Sequence, residues 1–565
     1  MKPLMKLTFF VLIGIFTAAG AFAQHENLNS KVESATPEKA LMDLKIQGEQ
    51  IQKDPIRSLM LHQNGRLKPF DTFAKESILF LNGSYQRTGL HPVQAYLALI
   101  TSPTAPYVEF IEVRDPALRV QLGFMKSKRF MSLADLESSN ISSLAEPLFK
   151  KQEENSKSLT SSEKTVLETF NQAMLLQALI RGEQLSRAVD YSFLKNTHGS
   201  DGTSTEVQAA LREYIQCLSK GDCEQTSKAQ ALLNASAKQD TPEMFKHYFE
   251  KTRAEIFYND SRPFLAASLL YILAGVLFSL SFTRNKIGVQ KLLWFLVVPV
   301  SLHILGLGLR VYITRFAPVT NMYGTMIWVS LGVMVFSILL FLLYKNVYVL
   351  CAAMIGSGLI LMLTEQIPLI LSPDLDPIVA VLRSNFWLST HVTTITISYS
   401  AFTVAAILGN IALIRIWTHK ENDKFFREYS HYAYRMIQLG CFLLTVGIIL
   451  GGVWADYSWG RFWGWDPKET WALIADVGFL ALLHARVVGW VRPFTLLAFS
   501  PVAYLLVIMA WYGVNFILAA GLHSYGFSSG GALAVAIYVA LQGVILALGF
   551  VRYFKLQRVR PPLHG

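Results

Sequence analysis

Cysteine is scarce in this sequence: four residues in 565, with no C-x-x-C pair among them. A C-x-x-C dithiol motif is therefore absent. Cys351 and Cys441 fall inside apolar runs and read as plain core residues. Cys217 and Cys223 lie in a polar segment, spaced C-x5-C, and are expected to form a structural disulfide in an oxidising compartment. Acidic residues are the second shortage, and it is local. Residues 263–565 carry 10 Asp+Glu against 20 Lys+Arg, whereas residues 24–262 carry 30 against 29. The polar half thus lacks the basic excess that a nucleic-acid partner would demand of a soluble domain, which excludes that class. An internal repeat is also lacking.

Apolar residues, in contrast, make up 52% of the chain, too many for a soluble protein of this length. The first 23 residues read as a signal peptide: Lys2 and Lys6 precede or edge an apolar run from Leu7 to Phe16, and Ala21-Phe22-Ala23 precedes Gln24. An uncleaved anchor is the alternative, and either one exports the segment from Gln24 onward. Residues 24–262 then form an exported, mainly helical domain, with helical periodicity over 161–190. Segments 152–164 and 196–206 are expected to be linkers or loops, and 59–78, LMLHQNGRLKPFDTFAKESI, a loop followed by a helix.

From Pro263 onward, apolar runs of spanning length recur. About 20 apolar residues cross a bilayer, and nine such runs are present: 263–282, 291–313, 322–344, 346–364, 391–417, 436–454, 470–489, 494–516 and 532–552. The expected fold is an all-α polytopic membrane protein with an exported N-terminal domain. Its parts are a first span and cytoplasmic loop (263–290), a membrane domain (291–552) and a cytoplasmic tail (553–565). With the segment before residue 263 outside, the inside loops hold 15 Lys/Arg and the outside loops of the membrane half hold 5. That bias agrees with the positive-inside rule and with the signal peptide, so two independent signals give one topology.

Four histidines stand out against this map. His391 opens the fifth span at its outer end, and His523 lies in the outer loop 517–531. His484 lies about 21 Å into the seventh span and His303 about 18 Å into the second. An ionisable side chain within a span is costly and calls for a role, although a neutral imidazole bonded to a neighbouring helix satisfies many such positions. Between His391 and His523 runs an outer loop, 454–471, that holds five of the eleven tryptophans: Trp454, Trp459, Trp463, Trp465 and Trp471. A membrane-edge aromatic belt would be spread over many span ends. Concentrated in one loop with Gly, Asp466 and Glu469, indoles instead make a flat apolar platform with N–H donors at its edge. Haem, with iron ligated by a histidine on each face, or a quinone would suit it.

The stretch WGRFWGWDPKETWALI resembles the tryptophan-rich WWD motif of the membrane proteins that handle haem in cytochrome c biogenesis. PVTNMYGTMIWV (318–329), the stretch from His391 to Tyr399, and GLHSYGF resemble the CcsA/ResC branch, the System II synthase. The resemblance covers residues 291–552. It implies that His391 and His523 ligate the haem awaiting attachment, that Trp459, Trp463, Trp465 and Asp466 belong to the motif packing on it, and that His484 ligates a second, intramembrane haem. In fused members the partner of that last histidine comes from a ResB-type portion. A corresponding set of N-terminal spans is not found here, so the ligand is expected from a separate ResB/CcsB-type subunit or from His303.

The expected function is therefore to hold haem b as a transient substrate and present it at the outer face of a bacterial inner membrane. There the thiols of an exported apocytochrome c CxxCH motif, kept reduced by a thiol system, add to the haem vinyl groups as part of holocytochrome c synthesis. No general acid or base is assigned. Asp466 and Glu469 are expected to structure the turn, and Arg461 and Lys468 are candidates for the propionates. Two rivals stay open: a haem transporter without ligation, and a cytochrome b-like electron-transfer protein.

Overall fold

The computed structural model describes residues 36–84, 87–155, 159–191, 203–221, 223–239, 242–283, 289–368, 371–378, 384–418, 423–518 and 532–558. Residues 1–23, expected to be a signal peptide, and His523 lie outside the described residues. The chain divides into two compact units, Met1–His62 with Lys68–Phe245, and Gln63–Leu67 with Lys246–Gly565. This division measures packing. The boundary at 262 read from the sequence marks where the apolar runs begin, which is a different quantity.

The first unit is helical. Helices Pro37–Gln50, Phe70–Asn82, Pro92–Thr101, Ser161–Ile180 and Thr203–Lys220 enclose a core that includes Leu44, Phe70, Phe73, Tyr96, Leu176 and Tyr214. Cys217 and Cys223 are joined in a disulfide. Two expectations are corrected here. The stretch 152–164 is not simply a linker, because helices Ile141–Asn155 and Ser161–Ile180 run into it from both sides. Its Ser/Thr content includes a helix cap: Glu163 N–H donates to Thr160 Oγ1 at 3.3 Å, and Thr160 N–H donates to Glu163 Oε2 at 2.7 Å. Within 59–78, the loop is a hairpin of β1 (Met60–Gln63) and β2 (Arg66–Pro69). Asn64 and Gly65 between them take φ of 52° and 79°, the positive pair that a two-residue hairpin turn requires.

In the second unit, nine helices among the described residues are long and apolar enough to cross a membrane, so this is a multi-pass membrane protein. We number them α1 (Pro263–Thr283), α2 (Val289–Thr314), α3 (Met322–Tyr344), α4 (Val347–Gln366), α5 (Thr393–Thr418), α6 (Asp423–Trp459), α7 (Pro467–Val487), α8 (Pro493–Ile508) and α9 (Ala532–Arg558). Side-chain caps set several ends. Asn321 accepts Gly324 N–H at 2.8 Å at the start of α3, and Asn346 accepts Val349 N–H at 3.3 Å at the start of α4. Helix α6 is 37 residues long, about 55 Å. It therefore exceeds a hydrocarbon core of roughly 30 Å, and its two ends, polar at the start and tryptophan-rich at the finish, extend past the apolar run 436–454.

Helix α5 is the most enclosed span and packs against α3, α6, α8 and α9. Its sequence explains this. Buried Ser398, Ser400, Ala401, Ala405 and Ala412 are small enough for close helix approach. Hydrogen bonds fix the register: Ser400 Oγ donates to Val329 O at 3.1 Å, and Thr403 Oγ1 donates to the Tyr504 hydroxyl at 2.9 Å. In lipid, where apolar burial contributes little to helix association, such packing and bonding carry the assembly.

Among the described residues, two stretches of the membrane helices take π-helical geometry. Leu388–Val392 forms a π-helical turn leading into α5, and Met509–Leu518 continues α8 as a π-helix. Such segments are rare and often mark functional sites.

Candidate functional site

Both π-helical stretches line one cavity of about 580 Å³. Leu388, His391 and Val392 enter from the first, and Ala510, Trp511 and Asn515 from the second. The end of α6 supplies Gly451, Trp454 and Trp459, the following turn supplies Trp463, and the start of α7 supplies Lys468 and Glu469. The size falls within the roughly 300–1,000 Å³ typical of ligand and cofactor pockets.

His391 Nδ1 lies 2.8 Å from the Gly447 carbonyl oxygen. A carbonyl only accepts, so the ring proton sits on Nδ1 and Nε2 carries the lone pair. The ring packs against α6 at Gly451, where a Cβ would stand 2.5 Å from His391 Cε1. Trp454, buried, meets the imidazole edge-on at 5.8 Å, and Trp387 lies parallel to Trp454 at 6.5 Å.

The tryptophan loop is mostly not a loop. Residues 454–459 finish α6, Gly460–Asp466 make the turn, and 467–471 start α7. Both glycines of 454–471, Gly460 and Gly464, fall in the turn, and Gly460 takes a positive φ of 69° where α6 ends. Asp466 caps α7, accepting Lys468 N–H at 3.0 Å. Glu469 Oε2 accepts the N–H groups of Gly464 at 2.8 Å and Asp466 at 3.1 Å, and Oε1 pairs with Arg461 at 3.2 Å. Asp466, Glu469 and Arg461 thus build the turn, which leaves Lys468 as the cation of this segment that faces the cavity. Of the segment's tryptophans, Trp454, Trp459 and Trp463 line it. Trp465 is 71% exposed with φ of 56° and braces the Trp463 ring at 90° and 5.8 Å.

The other histidines lie elsewhere. His484 is exposed on α7, its Nδ1–H donating to the Leu480 carbonyl of the same helix at 2.9 Å. Its Nε2 is therefore the lone-pair nitrogen on an outward face. His303 is buried on α2 between the rings of Phe264 and Tyr271, and its Nε2–H donates to the Ile327 carbonyl at 2.9 Å. Its neighbours are on α1 and α3, whereas α7 packs against α6, α8 and the π-helix after α8, so the structure does not bring His303 and His484 together. His523 lies outside the described residues, five positions past Leu518 at the end of that π-helix.

Several lining residues were not read from the sequence. Trp511 Nε1–H donates to Thr325 Oγ1 at 3.1 Å, and Asn515 Nδ2 donates to the Trp511 carbonyl at 2.8 Å. Asn515 Oδ1 is buried and has no partner among the described residues, an acceptor available to a bound molecule. An asparagine inside an apolar run was the available signal. Asp374 and Asp376 also line the cavity.

The sequence profile of the cytochrome C assembly protein family matches residues 319–523, a range that encloses the cavity. A CcsA cytochrome c biogenesis protein of Guillardia theta is 35% identical over 251 residues, covering 39% of this chain and 80% of that protein. One of Trieres chinensis is 30% identical over 321 residues, covering 49% of this chain and 99% of its own. The chain belongs to the CcsA-type cytochrome c biogenesis family. Protein NrfI of Wolinella succinogenes is 29% identical over 506 residues, 82% of this chain. The match spans about half of NrfI, 53% of its length. The CcsA-type region includes α3 to α8, the helices that carry the cavity and its tryptophan turn. The likeness to NrfI is longer than that region.

Proposed function

We propose that this CcsA-type protein holds haem b as substrate in the cavity beside His391 and presents it for covalent attachment to apocytochrome c. His391 Nε2 ligates iron from one side and His523 from the other. The observation that carries this reading is the His391–Gly447 bond, which fixes the tautomer and ring plane that an iron ligand needs. The cavity fits the cargo: Trp454, Trp459, Trp463 and Trp511 supply flat apolar walls, Asn515 Oδ1 an unpaired acceptor, and Lys468 a cation for a propionate.

The site lies at the outer face of a bacterial inner membrane, following the Lys/Arg distribution, and the signal peptide exports residues 24–262. Each reduced thiol of the incoming CxxCH adds its S–H across one haem vinyl C=C, forming a C–S and a C–H bond with no leaving group. A separate thiol system keeps those cysteines reduced. The chain's contribution is placement of the ring and exclusion of water.

Haem reaches this site through His484. Its outward Nε2 suits a ligand shared with another chain, which supports a separate ResB/CcsB-type subunit as the source of the second intramembrane ligand over His303. The test is co-expression of this chain, with and without such a subunit, beside an exported CxxCH reporter in a host lacking its own maturation system. Covalent haem on the reporter supports synthesis. Haem bound to this chain with none on the reporter, in the presence of the partner, would identify a carrier instead.

A further inference from the structure

A second concavity, about 630 Å³, opens where the α3–α4 turn meets the first turns of α6. Its walls include Tyr344, Lys345, Tyr348, Arg427, His431 and Tyr432. Along α6, His431 and Gly451 are 20 residues apart, about 30 Å, so this cleft and the His391 cavity sit a hydrocarbon thickness apart.

The local sequence explains the cleft. Tyr344 is the last residue of α3. Lys345 caps it in the left-handed conformation, φ 55°, and Asn346 starts α4 at once. This tight reversal pushes the Tyr344 ring against α6. There it lies 4.5 Å from the Tyr432 ring, tilted by 35°, and perpendicular to His431 at 5.6 Å. The Tyr344 hydroxyl is 3.2 Å from His431 Nε2. Arg427 and Lys345 have no ion-pair partner among the described residues, while Glu428, also in the cleft, faces Lys424 at 3.9 Å.

We propose that this cleft is a loading site for ferric haem, with the Tyr344–His431 pair as its ligating element and Lys345 and Arg427 receiving the two propionates. The inference rests on the proposal that haem is the cargo of this chain. A phenol that donates to an imidazole can pass its proton to that ring as the oxygen takes iron(III). Phenolate is an established haem ligand, and the ring faces of Tyr344 and Tyr348 offer apolar contact to the macrocycle. An anionic lipid headgroup would also find the two cations, but would make no use of the tyrosine–histidine pair.

The test uses the full purified chain carrying His391→Ala, His484→Ala and His523→Ala, titrated with haemin in nanodiscs with and without phosphatidylglycerol. One remaining haemin site is expected, with the absorption of a ferric tyrosinate. Adding Tyr344→Phe, a substitution that keeps the ring packing, should abolish that absorption and weaken binding at least tenfold. His431→Ala should weaken it several-fold, and Lys345→Ala with Arg427→Ala by a similar factor in either lipid. Unchanged haemin binding in both Tyr344→Phe and His431→Ala would overturn the proposal. So would an effect confined to the lysine and arginine variants and to phosphatidylglycerol, which would make the cleft a lipid site. Reporter maturation by the chain with only His391→Ala tests the outer site separately, so the two failures are distinguishable.

Discussion

His391 and Gly451 share one space: a Cβ on residue 451 would stand 2.5 Å from the imidazole Cε1. The glycine is what lets the ring lie against α6 and reach the Gly447 carbonyl. Gly451→Ala should therefore push the imidazole out of its hydrogen bond without touching the cavity's chemistry. Loss of a ligand-orienting contact typically costs 10- to 100-fold in metal affinity, and haem retention should fall by that order. Absorption spectra of purified protein at equal abundance check this. Wild-type haem occupancy and spectrum in Gly451→Ala would show that the ring's placement does not matter.

The two ligands proposed for the cavity make a sharper test. His391→Ala or His523→Ala should each abolish reporter maturation, because a haem held from one side is poorly retained and readily oxidised. Added imidazole should partly restore either single variant by filling the vacant axial position. The double variant should respond less, since neither side then fixes the ring. Normal maturation in both single variants would remove haem ligation from this cavity.

Trp463 and Trp465, two residues apart, are placed for unequal effects. Trp463 lines the cavity, whereas Trp465 is mostly exposed and touches the edge of Trp463. Trp463→Ala should lower maturation strongly while both axial ligands stay visible. Trp465→Ala removes an edge-to-face contact of about 0.5–1.5 kcal/mol and should lower it less. Equal losses would mean that Trp465 contacts haem or the incoming apocytochrome directly.

Much of this architecture could be read in advance, for identifiable reasons. Apolar runs near 20 residues dictate spans, and Met322–Tyr344 coincides with its run because Asn321 and Lys345 stop it sharply. Where nothing stops a helix, the apolar run understates its length: α6 continues through charged residues at its start and aromatic ones at its end. The cavity was half legible. Clustered tryptophans and His391 announced themselves by composition, but Trp511, Asn515 and Asp376 come from distant segments, and only packing brings them together. The hairpin at 60–69 was missed although Asn64-Gly65 is a strong turn signal, because its strands are only four residues each. Depth alone admitted His303 and His484 as a pair, and depth says nothing of which way a side chain faces.

That last distinction separates the two intramembrane histidines by experiment. His303 is enclosed by α1 and α3 and bonded to the Ile327 carbonyl, so His303→Ala leaves a gap and an unmet acceptor. Loss of such a buried partner costs roughly 1–3 kcal/mol, which should appear as lower abundance or thermal stability, with haem per folded chain unchanged. His484 is exposed, so His484→Ala should leave stability intact. Its effect should be on haem, and greatest when a ResB/CcsB-type subunit is co-purified, because the second ligand then comes from that chain. Haem quantified per mole of folded protein, with and without the subunit, reads both outcomes. If His303→Ala instead loses haem at normal stability while His484→Ala does not, the ligand assignment must be exchanged, and the helices around α2 would then form the route by which haem reaches the His391 cavity.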